Sequence, residues 1–333
     1  MKNKFKNITV HTHQGRREYQ EDSHAHGDDF VLVDDGVGGL AKGDIASGIV
    51  VRTWLDALNS ESIRLTTLQK DVQTTVLKNI NDLMTYASEN PESAGMGSTL
   101  ACAAWIEDRL VSIHIGDSRV YHFRKDGQIK WRSTDHSLVQ ELVNGGVITE
   151  EEAITHPRRN VITRVLQAKE GQETKASIHV LENIASGDIV MVCSDGINES
   201  WSDAGISSGI MGHSEVNDIV AIIGAHSAEN SKDNNTIVMA VIEMDVAEQE
   251  IAESTSIITQ KDDHNIGDHI QEDLAVTTEA EIPLSSNKIE ETEAELILDQ
   301  SNYGIKQKYY RLAIFAIIFM LALILLIQKF AGQ

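Results

Sequence analysis

The segment "VLVDDGVGGLAKGDIAS", residues 31–47, decides how the chain reads. An apolar run, Val31 to Val33, ends in Asp34 and Asp35, and Gly36, Gly38 and Gly39 follow within four positions. β-branched residues bounded by Asp and Gly mark the end of a strand. Two carboxylates there cost stability unless something compensates them, because neighbouring carboxylates repel and burial disfavours their charge. Gly38 and Gly39 suit a turn into a helix that starts near Asp44.

Outward from this segment, short β-branched runs alternate with amphipathic stretches as far as residue 246. Strand-like runs are "NITVHTHQ", "DFVLVDD", "STLACAAWIED", "RLVSIHIGDSRVYHFR", "DIVMVCSD" and "NNTIVMAVIEMD". "RKDGQI" carries Asp-Gly between apolar runs, a hairpin signal. Ile45, Ile49, Thr53 and Ala57 recur every four residues, as do Leu68, Val72, Val76, Ile80 and Met84, which predicts two helices, the second ending before Pro91. "SLVQELVNGG" reads as a short helix stopped by Gly145 and Gly146. Hairpins with two long helices suggest a layered α+β domain over 1–246.

Beyond it the composition changes. Residues 248–300 hold 15 acids and two lysines, more than half of the net charge of −23. That balance argues against nucleic acid as a partner, since phosphate backbones are held by Lys and Arg. Residues 247–305 are expected to form a disordered acidic tether, with an end-to-end distance of roughly 40 to 45 Å for a flexible chain. "LAIFAIIFMLALILLI", residues 312–327, has no charge and no turn former. With its flanks it predicts a transmembrane helix over 309–328, followed by a short tail, 329–333. Lys306, Lys308 and Arg311 precede it, and Tyr309, Tyr310 and Phe330 suit the interfacial belts. Met1 to Val10 is basic without a long apolar core, so a signal peptide is not expected. The two cysteines, Cys102 and Cys193, lie in apolar runs and read as buried thiols of a reducing compartment.

Five aspartates sit at strand ends beside turn residues: Asp22 in "REYQEDS", Asp35, Asp117 in "HIGDSRVY", Asp195 in "VCSDGINES" and Asp233 in "SKDNNTIV". Singly, each is a turn or a cap. Converging at one sheet edge, they need cations, and an oxygen-only donor set suits Mg²⁺ or Mn²⁺. Gly36 would let an ion approach the backbone carbonyl. Paired ions suit attack on a phosphate ester, and Arg17 is the candidate clamp on the phosphate. His11, His13, His24 and His26 match no zinc spacing. His136 in "STDHS" suits a structural hydrogen bond, and Ser98 and Thr99 suit packing at a strand start. "GVGGLAKGD" lacks the Gly-Lys-Ser/Thr ending of a nucleotide loop.

Seven stretches, in order, carry a family resemblance: "RREYQEDS", "VDDGVGGLAKGDIAS", "GMGSTLACAAW", "HIGDSRVYHFR", "STDHSLVQELVNGGVITEEEAITHPRRNVITRVL", "DIVMVCSDGINES" and "KDNNTIVMAV". Residues 9–243 resemble the metal-dependent serine/threonine protein phosphatases of type 2C, in their bacterial form. The resemblance implies a four-layer α/β/β/α sandwich of two antiparallel sheets flanked by helices. It implies that Asp35 bridges two ions, Mn²⁺ or Mg²⁺, with the Gly36 carbonyl on the second. Asp195 and Asp233 would complete the first, and Asp22 and Glu21 would act through waters. Asp117 would hold a third, weaker ion with Asp195, Arg17 would bind the substrate phosphate, and Asn234 would support Asp233. Asp34 would then point away from the ions, since adjacent strand residues alternate. Residues 137–163 would form a flap where protein substrates are discriminated. Val37 stands where many eukaryotic members have a histidine proposed as general acid, which leaves leaving-group protonation unassigned. Gln20 stands where bacterial members usually have Asn, which questions one supporting hydrogen bond.

The expectation is a phosphatase anchored in the cytoplasmic (inner) membrane by one span, its catalytic domain in the cytoplasm. It would act on phosphoproteins made by a serine/threonine kinase. The rivals are a small-molecule phosphatase and a non-catalytic, phosphate-sensing scaffold at the membrane.

Overall fold

A computed structural model describes residues 3–37 and 42–244. The expected tether (247–305), membrane helix (309–328) and tail (329–333), and the turn at Gly38 and Gly39, lie outside the described residues. Among the described residues no helix is long and apolar enough to cross a membrane.

Among the described residues, twelve strands and seven α-helices follow in order: β1 (Lys4–His13), β2 (Asp22–Gly27), β3 (Phe30–Val37), α1 (Gly43–Asn59), α2 (Leu68–Glu89), β4 (Gly97–Ser98), β5 (Leu100–Ile106), β6 (Arg109–Ile115), β7 (Arg119–Phe123), β8 (Ile129–Arg132), α3 (Leu138–Asn144), α4 (Glu150–Thr155), β9 (Leu166–Gln167), β10 (Ser177–Val180), β11 (Ile189–Cys193), α5 (Asp195–Ser200), α6 (Asp203–Met211), α7 (Val216–Asn230) and β12 (Asn235–Glu243). They form two antiparallel sheets. One runs β1-β12-β11-β7-β8, and the other runs β10-β6-β5-β3-β4-β9, with β2 also paired to β3.

Alternation along the strands builds three apolar layers. Leu32, Leu100 and Cys102 face α1 and α2, where Trp54, Val76 and Leu83 cover them. Val31, Val33, Ala101 and Ala103 face the other way, onto Val190, Val192, Val238 and Ala240 of the opposing sheet. Met191, Cys193, Ile237 and Met239 complete the outer layer, beneath Ile206, Ile219 and Ile223 of α6 and α7. The four-layer sandwich follows from this period of two. Both cysteines are free and buried, as expected.

The helical periodicities hold, with α1 and α2 ending within a few residues of the sequence reading. Strands β2 and β10 carry no apolar run. β2 presents His24 and His26 where other strands present Val or Ile, so pattern alone gives no signal there.

Candidate active site

Three glycines draw separate segments together at one end of the sandwich. A Cβ on Gly36 would sit 2.2 Å from the Gly43 carbonyl oxygen, so the end of β3 lies against the first turn of α1. A Cβ on Gly15 would sit 2.0 Å from the Asp233 carbonyl oxygen, and one on Gly196 would sit 2.0 Å from that of Asn234. Backbones this close exclude any side chain. They bring the Arg17 loop and the starts of α5 and β12 to the end of β3.

On that frame the predicted acids converge. Asp22 opens β2 directly across the ladder from Asp35. Asp195 occupies the first turn of α5, where the helix N-terminus favours its charge. Asp117 lies in the turn between β6 and β7, and Asp233 in the turn before β12. Asp22 and Asp117 are buried, while Asp35 and Asp195 are part-exposed.

The acids feel one another. Burial and then Asp22, Asp195, Asp117 and Asp233 hold the Asp35 carboxyl well above the usual carboxylate range. Burial, with Asp195 and Asp135, does the same to Asp117. Burial pushes Asp22 up to about 7, against hydrogen bonds from Thr236 and Ser194. Burial and Asp233 push Asp195 up to about 6, against a hydrogen bond from Asp35 and the charge of Arg17. Glu21 is raised by burial, although the Gly43 amide donates to its Oε1 at 3.2 Å. Glu21 thus caps α1 with a carboxylate.

Arg17 supplies the opposite charge. Its Nη2 pairs with Asp233 Oδ2, and its side chain is 51% exposed. Burial works against the guanidinium charge, but Asp233, Asp195 and Asp35 together raise its pKa. Asn234 holds the loop that carries it: its Nδ2 donates to the carbonyls of Gln14 (2.8 Å) and Tyr19 (2.9 Å), and its Oδ1 accepts from the Glu21 amide (2.8 Å). The Asn234 side chain therefore serves the Arg17–Glu21 loop, and only its backbone amide reaches the Asp233 carboxylate. Gln20 does make the supporting contact: its Oε1 accepts from the Asp22 amide at 3.2 Å, and its Nε2 donates to Thr12.

The donor set fits hard cations. Asp22 Oδ1, Asp117 Oδ1 and Asp195 Oδ1 are buried with no hydrogen-bond partner. Buried carboxylate oxygens are costly unless something positive or protonated meets them. Among the described residues no group of three or more His, Cys, Asp or Glu side chains is placed so that it could hold a metal ion.

Asp34, one residue away, is fully buried on the strand face that Leu32 shares, as alternation predicted; burial and then Asp22 raise its carboxyl, whose two oxygens have no hydrogen-bond partner. His136 is structural, as expected. The Gly116 amide donates to its Nδ1 at 3.1 Å, and its Nε2 shares a hydrogen bond with Ser177 at 2.8 Å. It roots residues 137–163 beside Asp117. The ends of that segment meet in a Ser137–Ile162 bridge, and its helices α3 and α4 bury no residue. The reading of Ser98 and Thr99 as packing alone is corrected: the hydroxyls of both bind the Asp35 backbone. Arg119 was not singled out either, yet it grips Asp135 through Nε and Nη2, both at 2.7 Å, beside His136.

Known proteins resemble this chain in sequence and fold. Residues 11–208 match the family model "Protein phosphatase 2C". The serine/threonine phosphatase stp of Listeria innocua is 33% identical over 178 residues, 53% of this chain and 69% of that protein. The serine/threonine protein phosphatase PstP of Mycobacterium tuberculosis is 32% identical over 224 residues, 67% of this chain and 42% of that protein. The crystal structure of Staphylococcus aureus serine/threonine phosphatase Stp1 superposes with a TM-score of 0.63 at 30% identity, over 71% of this chain and 95% of that one. The catalytic domain of PstP in complex with two manganese ions superposes with a TM-score of 0.62 at 28% identity, over 73% of this chain and all of that one. The family match takes in more than half of the chain and every site residue named above except Asp233 and Asn234. The chain belongs to the protein phosphatase 2C family of serine/threonine phosphatases.

Proposed function

We propose that the chain is a membrane-anchored protein phosphatase, hydrolysing phosphoserine and phosphothreonine on proteins with the help of two Mn²⁺ or Mg²⁺ ions. The observation that carries the reading is the gathering of Asp22, Asp35, Asp117, Asp195 and Asp233 beside the exposed cation Arg17, with burial and neighbouring charge raising the first four. Asp35, the Gly36 carbonyl, Asp195 and Asp233 would hold the paired ions, Asp117 with Asp195 a third, and Asp22 and Glu21 would bind through water. When bound, the ions supply a nucleophile at neutral pH and neutralise phosphate charge.

The chain's own residues do the rest. The Arg17 fork grips two phosphate oxygens and aligns phosphorus for in-line attack. Asn234 and Gln14 fix the loop from which Arg17 reaches, Gln14 Nε2 donating to the Arg17 carbonyl at 2.8 Å. Ser194 orients Asp22 by donating to its Oδ2 at 2.8 Å. The flap carries exposed Val147 and Ile154, 68% and 72% accessible, which gives a protein substrate an apolar surface beside the phosphate site.

The anchor is read from the uncharged run 312–327. Lys306, Lys308 and Arg311 before it favour a cytoplasmic catalytic domain. A serine/threonine kinase would supply the phosphoproteins. A Mn²⁺-dependent assay on a phosphopeptide panel tests the activity, with para-nitrophenyl phosphate alongside. Turnover of the peptides, abolished in Asp195→Ala, is expected. Turnover of the small ester alone points to a small-molecule phosphatase, and equal rates for wild type and Asp195→Ala exclude the reading and leave the scaffold.

A further inference from the structure

Thr99 lies between β4 and β5, fully buried. The ladder on β3 keeps one register on both sides of it: Val33 faces Ala101, and Gly36 faces Ser98. That register sets Asp35 opposite Thr99, where an antiparallel pair exchanges two backbone hydrogen bonds. One of them is made, from the Thr99 amide to the Asp35 carbonyl at 2.9 Å. The other is not. The Asp35 amide donates to the Thr99 side-chain hydroxyl instead, at 2.9 Å. The Thr99 carbonyl is taken by the Ser98 hydroxyl at 3.1 Å, which also reaches the Asp35 carbonyl at 3.0 Å. A hydroxyl stands where the ladder would have placed a main-chain acceptor.

The same Oγ1 shares a hydrogen bond with the hydroxyl of Ser118, at 2.7 Å. Ser118 is fully buried and follows Asp117 directly. Gly116 makes the approach possible. Its φ is +103°, and a Cβ there would sit 2.6 Å from Thr99 Cγ2. One buried hydroxyl thus ties the Asp35 backbone on β3 to the turn that carries Asp117.

We infer that Thr99 is a positioning residue whose hydroxyl sets Asp35 and the Asp117 turn in mutual register, and so sets the spacing of the acids that would hold the metal ions. The inference rests on the metal-site reading above. Groups that orient metal ligands change affinity by about 10- to 100-fold when removed. A ligand displaced by about half an ångström is enough for this.

Thr99→Val keeps the shape and removes the hydroxyl, which leaves the Asp35 amide without its acceptor. Mn²⁺ binding by the purified full-length chain, followed by the electron paramagnetic resonance of free Mn²⁺, is expected to weaken about ten-fold or more. Thr99→Ser should restore it to within about three-fold, because the hydroxyl is the active part. Ser118→Ala keeps the Asp35 contact and cuts the tie to the Asp117 turn, with an intermediate loss expected. A merely structural Thr99 would lower the melting temperature and leave the Mn²⁺ affinity unchanged, and that result overturns the inference. Should Thr99→Val fail to fold by circular dichroism, unchanged affinity in Ser118→Ala overturns it. Wild-type protein that binds no Mn²⁺ overturns the metal-site reading and this inference with it.

Discussion

Asp22 and Asp35 sit across one ladder rung, and neither can ionise freely while the other is charged. The pKa of Asp22 rises from its ordinary range to about 7 in the folded chain. A raised acid pKa means that the native state holds the proton more tightly than the unfolded chain does. The stability it contributes is full below the unfolded pKa, near 4, and is lost as pH rises through 7. Buried histidines work the other way: burial lowers His11, His24, His114, His136 and His179, whose unfolded forms are still half protonated at about pH 6.5, so they add stability as pH rises through that point. Against that background Asp22→Asn isolates the carboxyl: in metal-free protein the variant should gain stability relative to the wild type as pH rises from about 5 to 8. Mn²⁺ should raise the melting temperature more at pH 8 than at pH 6.5, since ligands bind as carboxylates. Differential scanning calorimetry with and without chelator reads both; a melting difference between wild type and Asp22→Asn that stays constant with pH in chelator contradicts the assignment. Arg17 gives the second residue-scale test. Arg17→Lys keeps one charge and loses the planar fork. It should lower kcat/KM for a phosphopeptide by about ten-fold or more, and Arg17→Ala by about a hundred-fold, since truncating one partner of a paired charge costs about 2–5 kcal/mol.

At the scale of elements, the site depends on backbones meeting without side chains. Gly36→Ala would drive a methyl into the Gly43 carbonyl, 2.2 Å away, at the point where Glu21 caps α1. Overpacking of this kind costs about 1–3 kcal/mol, so the variant should unfold at lower urea and lose Mn²⁺ affinity together. Wild-type stability would show that α1 shifts at no cost. This constraint was legible in part. The Asp-Gly pairs and the strand pattern in "VLVDDGVGG" and "VCSDGINES" gave Asp35, Asp195 and the central strands, and the four-residue recurrences gave both helices, because those signals are local. β2 escaped because its faces alternate histidine with small residues. Thr99 escaped because its role depends on which strand lies opposite, and a single sequence does not display register. Asn234 was placed correctly in the chain, but its side chain turns to the Arg17 loop, a contact across 215 residues and more. The flap belongs to this scale too. Its two helices contain no fully buried residue and its ends are bridged at Ser137–Ile162, so replacing residues 139–160 by a short Gly-Ser linker should leave the sandwich folded. Loss of binding made equally to substrate and transition state raises KM and spares kcat. The linker variant should show that change for phosphoproteins and little change for para-nitrophenyl phosphate; an equal fall in kcat for both would place flap residues in the chemistry.

Across the whole molecule the sequence divides into a phosphatase domain, an acidic stretch and an apolar terminus. The tether's 15 acids against two lysines over residues 248–300 should be repelled by an anionic leaflet, while Lys306, Lys308 and Arg311 are drawn to it. On the proposed reading of this stretch as a flexible tether, its ends would lie roughly 40 to 45 Å apart. The enzyme would therefore sample a shell above the membrane, and its encounters with membrane-bound phosphoproteins would depend on the tether's extension. Two consequences separate anchoring from chemistry. Deleting residues 309–333 should move the protein from the membrane pellet to the soluble fraction and leave phosphopeptide turnover within about two-fold, since no site residue lies in the deleted segment. Reversing ten of the tether acids to lysine should draw the catalytic domain onto anionic vesicles, with about 1 kcal/mol per basic residue near the surface, and slow the dephosphorylation of a membrane-bound substrate more than that of a soluble one. If the truncated protein still sediments with membranes at high salt, the apolar terminus is not the anchor, and the attachment must come from the catalytic domain itself.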